Sequence, residues 1–273
     1  MKKILLAFDG ANFSEGAFEL ARRMNEFQRV LVTGIFIPQV DYANLWSYAN
    51  GTAGALFIPL VEDEEAEKVK ENIERFENLC QKNKIEYRVH KDFYDFAIPE
   101  LKRESRFADI LILGSETFFN NIGTNEPNEY FKDALEISEC PVLIVPEKYE
   151  FPQNTILAYD GSASSVFAIK QFTYLFPEFC KKPALLVAAL DEEDNLPDEK
   201  NIEELATRHF SNLSIQKLDI DPRKYFATWL SDRKATILVS GSFGRSFFSQ
   251  LFKKSFVSDV IRDHKLPVFL AHH

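Results

Sequence analysis

The sequence predicts an α/β protein built as two tandem doubly wound domains, each with a five-stranded parallel sheet. Two observations carry this. Three motifs recur in the same order along the 273 residues. Short apolar, β-branched runs alternate with helical stretches in both halves, the pattern of strands buried on both faces between crossover helices. A fixed-order internal repeat outranks any single-segment reading, because it constrains the whole topology.

The repeats are Lys3-Ile4-Leu5-Leu6-Ala7-Phe8-Asp9-Gly10 against Thr155-Ile156-Leu157-Ala158-Tyr159-Asp160-Gly161; Ala108 to Ser115 against Ala235 to Ser242; and Cys140-Pro141-Val142-Leu143-Ile144-Val145 against Leu266-Pro267-Val268-Phe269-Leu270-Ala271. Their Asp, Gly-Ser and Pro are offset by 151, 127 and 126 residues, so the second copy is about 25 residues shorter in its middle. The seam falls at 146–152, charged and bracketed by Pro146 and Pro152, which divides the chain into domains 1–147 and 153–273.

In chain order, strands are expected at 3–8, 30–36, 85–90, 109–113 and 141–145, then at 155–159, 184–190, 213–219, 236–240 and 267–271. The segment 62–82 reads as a helix: Val69, Ile73, Phe76, Leu79 and Cys80 recur at helical spacing on a charged background. Its acidic start and its Lys82 and Lys84 complement the helix dipole. Further helices are expected near 163–176, 199–209, 222–233 and 247–263, with Pro183 and Pro222 marking element starts. The additional material of the first half, 38–60, carries Tyr42, Trp46, Tyr48 and Phe57 and reads as an arm packed on the other half, or as a lid.

Composition narrows the function. With 42 acidic and 32 basic residues the formal charge is −10, which repels a nucleic-acid backbone. The five-residue apolar run after Lys3 ends at Asp9, too short for a signal peptide or a membrane span, so a cytoplasmic location is expected. Cys80, Cys140 and Cys180 form no Cys-x-x-Cys pair and suit a reducing compartment. The five histidines form no metal-binding pair, and there is neither a nucleophile elbow nor a Walker A loop. Asp191-Glu192-Glu193-Asp194 reads as a solvated turn, and the 26 phenylalanines as core.

The chemistry-bearing positions lie where parallel strands end. In an open sheet, ligands bind beyond the carboxyl ends of the strands at the switch in strand order. Asp9 and Asp160 end the first strand of each half; Gly114 and Gly241 end the fourth. The second copy reads Gly241-Ser242-Phe243-Gly244-Arg245-Ser246, then Lys254-Ser255-Phe256, then Pro267. This constellation resembles the universal stress protein family, whose nucleotide-binding members carry Gly, two residues, Gly, nine residues, then Gly-Ser or Gly-Thr. Here Gly241 and Gly244 match, 245–253 supply the nine residues, Lys254 replaces the third Gly and Ser255 supplies the hydroxyl. The resemblance covers both halves nearly end to end, weakest at 38–60.

It implies that the two domains pair through strands 141–145 and 267–271 as an intramolecular pseudo-dimer, with protein partners or a homodimer as further associations, and with neither nucleic acid nor membrane as a partner. It implies a stress-response protein that holds ATP or AMP, with Mg²⁺ if ATP, in the second half, or one that works with no cofactor. Asp160 and Gly161 match the position that contacts adenine, Ala189 falls where the base pocket is lined, and Gly241, Ser242, Gly244, Arg245, Lys254, Ser255 and Phe256 surround the phosphates. The physics agrees: glycines let backbone N–H groups approach phosphate oxygens, a helix start favours anions, and a carboxylate accepts an amino group. The competing reading has Gly241 and Gly244 shaping a turn and Asp160 capping the next helix. The first copy is poorer: Thr117 stands in place of the second Gly, and Asn128-Glu129 in place of Gly-Ser. A carboxylate in a phosphate cradle is repulsive, so at most one site per chain is expected. A nucleotide-free interaction module is the main alternative. A slow nucleotide hydrolase lacks a base, a nucleophile and a metal cluster, so enzymatic activity is not the expectation.

Overall fold

The computed structural model describes residues 1–9, 12–37, 63–90, 97–116, 134–190, 195–219, 222–241, 260–261 and 265–271. The expected insertion at 38–60, the loops 117–133 and 191–194, and the segment 242–259 lie outside these residues, as does most of the helix expected at 247–263.

In the first half the strands are β1 (Lys2–Asp9), β2 (Val30–Ile37), β3 (Glu86–His90), β4 (Ile110–Gly114) and β5 (Val142–Val145). In the second they are β6 (Asn154–Ala158), β7 (Ala184–Leu190), β8 (Leu213–Asp219), β9 (Thr236–Gly241) and β10 (Val268–Ala271). Helices α1 (Glu15–Phe27), α2 (Asp63–Lys82) and α3 (Ala97–Ser105) belong to the first half. Helices α4 (Ala163–Leu175), α5 (Glu199–His209) and α6 (Pro222–Ser231) belong to the second.

All ten strands form one sheet, in the order β3-β2-β1-β4-β5-β10-β9-β6-β7-β8. Every neighbouring pair is parallel except β5 and β10, which run antiparallel. Leu143 lies opposite Phe269, its own counterpart in the repeat, so a pseudo-twofold axis passes between them. The intramolecular pairing implied by the matched Pro-led runs is therefore how the two halves join.

The period of two along a strand divides the core between the sheet faces. Ile4, Leu6 and Phe8 point to one face, which α1, α2, α4 and α5 cover with Ala17, Phe76, Ile169, Phe172 and Ile202. Leu5 and Ala7 point to the other, covered by Leu101 of α3 and by Phe226 and Leu230 of α6. Among the described residues the phenylalanines are mostly core: Phe8, Phe76, Phe172, Phe176, Phe179 and Phe269 are fully buried, while Phe27 and Phe107 are exposed. Each such side chain contributes about 1.5–3 kcal/mol by leaving water.

The two crevice-forming helices start alike. Ser14 caps α1, its hydroxyl accepting from the Ala17 N–H at 3.2 Å, and Ser162 caps α4, accepting from Ser165 N–H at 3.1 Å. Their approach differs. Residues 10–13 separate Asp9 from Ser14, whereas Gly161 alone separates Asp160 from Ser162. Buried Ala17, Leu20, Ala21 and Met24 of α1 therefore correspond to Ser165, Ala168, Ile169 and Phe172 of α4.

The seam 146–152 is packed down as part of the join. Tyr149 donates its hydroxyl to the Gly16 carbonyl at 3.4 Å. The Lys182 ammonium donates to the Pro152 carbonyl at 2.8 Å and sits 5.8, 5.2 and 4.8 Å from the ring centroids of Phe27, Phe151 and Phe179. Burial among these rings lowers the Lys182 pKa from its ordinary value. Across the join, Lys2 donates to the Leu175 carbonyl and lies over the Phe176 ring.

Candidate functional site

The second half brings Asp160 and Gly161, Ala189 and Gly241 to the carboxyl ends of three adjacent strands, β6, β7 and β9. Asp160 lies two residues past the end of β6 and is exposed. Its Oδ1 accepts from the Ser162 N–H at 3.0 Å. The helix cap is thus Ser162, and Asp160, two residues before it, accepts from the N–H of the capping residue itself. Ala189 lies within β7, in register with Leu218 of β8. Ser242, Gly244, Arg245, Lys254, Ser255 and Phe256 lie outside the described residues.

Gly161 adopts φ +78°, the left-handed region that suits glycine. A Cβ there would also come 2.6 Å from the Pro197 Cβ. The Tyr159 hydroxyl donates to the Pro197 carbonyl at 2.8 Å, tying the loop before α5 to the end of β6. Asp198, next in that loop, has φ +46° without being glycine, a conformation that costs about 1–2 kcal/mol and needs its surroundings to hold it. The sequence reading missed this contact. Its visible signals were the Pro197-Asp198 step before a helix and a tyrosine where the first half has Phe8.

Gly241 has a structural task of its own. A Cβ there would lie 2.5 Å from the Ser164 carbonyl carbon and the Ser165 nitrogen. The end of β9 thus presses directly on the first turn of α4, where unpaired helix N–H groups gather.

The first-half crevice is lined differently. Beyond Gly114, the Ser115 hydroxyl donates to Glu116 Oε2 at 2.7 Å, and the same oxygen accepts from the Glu147 N–H at 2.9 Å. Glu147 Oε2 in turn accepts from the Gly16 N–H at the first turn of α1, at 3.1 Å, while its Oε1 is buried without a hydrogen-bond partner. Two carboxylates from the chain itself stand where a phosphate would need donors. Asn128 and Glu129, on which the sequence reading rested, lie outside the described residues; Glu116 and Glu147 were legible only as neighbours of Ser115 and Pro146.

The three cysteines are free and buried. Burial pushes the thiols of Cys80 and Cys140 up to about 12 and that of Cys180 up to about 11. Among the described residues, no group of three His, Cys, Asp or Glu is placed to hold a metal ion, and no helix is long and apolar enough to cross a membrane.

No family model matches the sequence, and no curated protein matches it. Solved structures do. A universal stress protein from Archaeoglobus fulgidus DSM 4304 superimposes over 100% of this chain and 96% of its own, with TM-score 0.72 at 18% identity. A functionally unknown protein from Pseudomonas aeruginosa PAO1 covers 100% and 92%, with TM-score 0.56 at 10% identity. The cytoplasmic domain of a prokaryotic cation chloride cotransporter covers 98% and 94%, with TM-score 0.53 at 12% identity. The chain has the tandem universal stress protein fold.

Proposed function

We propose that this chain is a cytoplasmic stress-response protein that holds one adenine nucleotide, ATP or AMP, in its second half, and that its first half acts through protein contacts. The observation that carries this reading is the asymmetry between two crevices built on the same plan. In the second half an exposed carboxylate, Asp160, stands just beyond the strand end, beside Gly161. In the first, Glu116 and Glu147 take the donors of Ser115 and Gly16. Asp160 would accept the amino group of adenine. Ser242, Gly244, Arg245, Lys254 and Ser255 would receive the phosphates, with Mg²⁺ accompanying ATP.

Calorimetric titration of the full chain with ATP and Mg²⁺ tests this. One site per chain is expected. Asp160→Ala should weaken binding about tenfold to a hundredfold, the weight of a charge-assisted hydrogen bond of about 1.5–3 kcal/mol, and Asp9→Ala should leave it unchanged. Two equivalent sites, or a site lost with Asp9, would refute the assignment.

Lys254 supplies a sharper test. As a point charge on the phosphates, its removal in Lys254→Ala should weaken ATP by about tenfold or more and leave adenosine unaffected. If Lys254→Gly instead tightens ATP, the lysine fills the cradle that the family's third glycine leaves open.

The nucleotide-free interaction module is the second reading. Gly241 favours it, because its packing on Ser164 and Ser165 accounts for a glycine there without any phosphate. Absence of binding by any adenine nucleotide at millimolar concentration would select it.

A further inference from the structure

Tyr159 falls within the first repeat, where the first half has Phe8, and Pro197 lies in the loop before α5; the reading just proposed gives neither a task. Tyr159 is 4% exposed, yet its hydroxyl emerges at the top of β6 to bond the Pro197 carbonyl at 2.8 Å. The Pro197 ring rests against Gly161, immediately after Asp160. The loop is held in a demanding conformation: Asp198, next to Pro197, has φ +46°, and Gly161, against the Pro197 ring, has φ +78°. Burial, then the nearby charges of Asp198 and Asp160, push the phenol pKa up, so the hydroxyl remains a donor at neutral pH. The first half has Phe8 at this repeat position, without a hydroxyl to make such a bond.

We infer that Tyr159 and Pro197 are positioning residues of the second-half crevice. The Tyr159 hydroxyl latches the 195–198 loop over the end of β6, which sets the Pro197 ring as a fixed apolar wall next to Asp160. A flat purine lies against that wall with its 6-amino group on the Asp160 carboxylate. The latch thereby makes the site choose an amino group over a carbonyl at that edge. This inference rests on the adenine reading above. A preset wall helps because a base held in one orientation loses less freedom on binding. Discrimination follows because a purine with a carbonyl at that edge leaves the carboxylate facing an acceptor.

The experiment compares adenosine and inosine binding to the wild-type full chain, Tyr159→Phe and Pro197→Ala. Tyr159→Phe keeps the buried ring, as Phe8 does in the first half, and should fold. Wild type is expected to prefer adenosine by about tenfold or more. Tyr159→Phe should weaken adenosine about fivefold to tenfold, narrow the preference, and speed amide exchange at 195–198. Pro197→Ala keeps the carbonyl that Tyr159 bonds but removes the ring, and should also weaken adenosine. A purely structural tyrosine would lower stability and leave the adenosine-to-inosine ratio in place; that result, or unchanged exchange of the loop, overturns the inference. If wild type binds neither nucleoside, the adenine reading itself falls and takes this one with it.

Discussion

Phe269→Ala is expected to lower the free energy of unfolding by about 3–5 kcal/mol, the range for truncating a buried phenylalanine to a methyl group. Phe269 is 0% exposed and sits on β10 opposite Leu143, at the pseudo-twofold axis. Its ring meets Phe172 edge-on at 5.4 Å and Phe176 at 5.9 Å, and Phe172 and Phe176 each also pack on Phe179. The loss should exceed its transfer free energy, because the three rings that remain cannot all collapse into the space left behind. Urea unfolding reads it as a lower midpoint at unchanged slope. The control is Phe107→Ala: Phe107 is 67% exposed, and its truncation should change stability by no more than about 0.5 kcal/mol. A small effect at Phe269 would mean that Phe172, Phe176 and Phe179 close the space its ring leaves.

The strands were legible because a buried parallel strand leaves a short unbroken apolar run, and all ten runs read from the sequence are strands within a residue or two. The antiparallel join was implied by the family resemblance, and the Pro-led runs opened by Pro141 and Pro267 marked the strands that form it as β5 and β10. Helices were read less evenly. α2 announces itself through a long amphipathic pattern, whereas α1 and α3 went unassigned. α1 carries Gly16 in its first turn, and α3 is short with Pro99 near its start, so local propensity speaks softly there. Carrying the aspartate offset onward through the repeat also misplaces the helix, because residues 10–13 have only Gly161 as their counterpart.

At the candidate site, sequence gave positions but not partners. Asp160 was legible as the end of a strand, yet its bond to the Ser162 N–H depends on the length of a single turn. The carboxylates that line the first-half crevice come from residues 31 positions apart, brought together only when β4 and β5 pair. Tyr159 and Pro197, 38 positions apart, meet beyond the end of β6. Contacts of that kind follow from topology, and no local pattern encodes them.

Gly16→Ala and Gly241→Ala separate packing from ligand binding most directly. Gly16 lies inside α1, where alanine is favoured over glycine by about 1 kcal/mol. Its new Cβ, however, would lie 2.0 Å from the Pro146 carbonyl oxygen and 2.9 Å from the Glu147 Cα. Both are backbone atoms of the seam and cannot rotate away. The clash should win, and Gly16→Ala should destabilise the protein by about 3 kcal/mol despite its better helix propensity, because overpacking a close backbone approach costs about 1–3 kcal/mol or more. At Gly241 the obstacle is the backbone of Ser164 and Ser165 at 2.5 Å, in the first turn of α4. A glycine serving only a phosphate would tolerate alanine in the ligand-free protein and lose binding alone. The contact with α4 instead predicts a loss of about 1–3 kcal/mol with no ligand present. Thermal unfolding of both variants without nucleotide decides the matter: a melting temperature equal to wild type for Gly241→Ala would return that glycine wholly to the phosphate cradle.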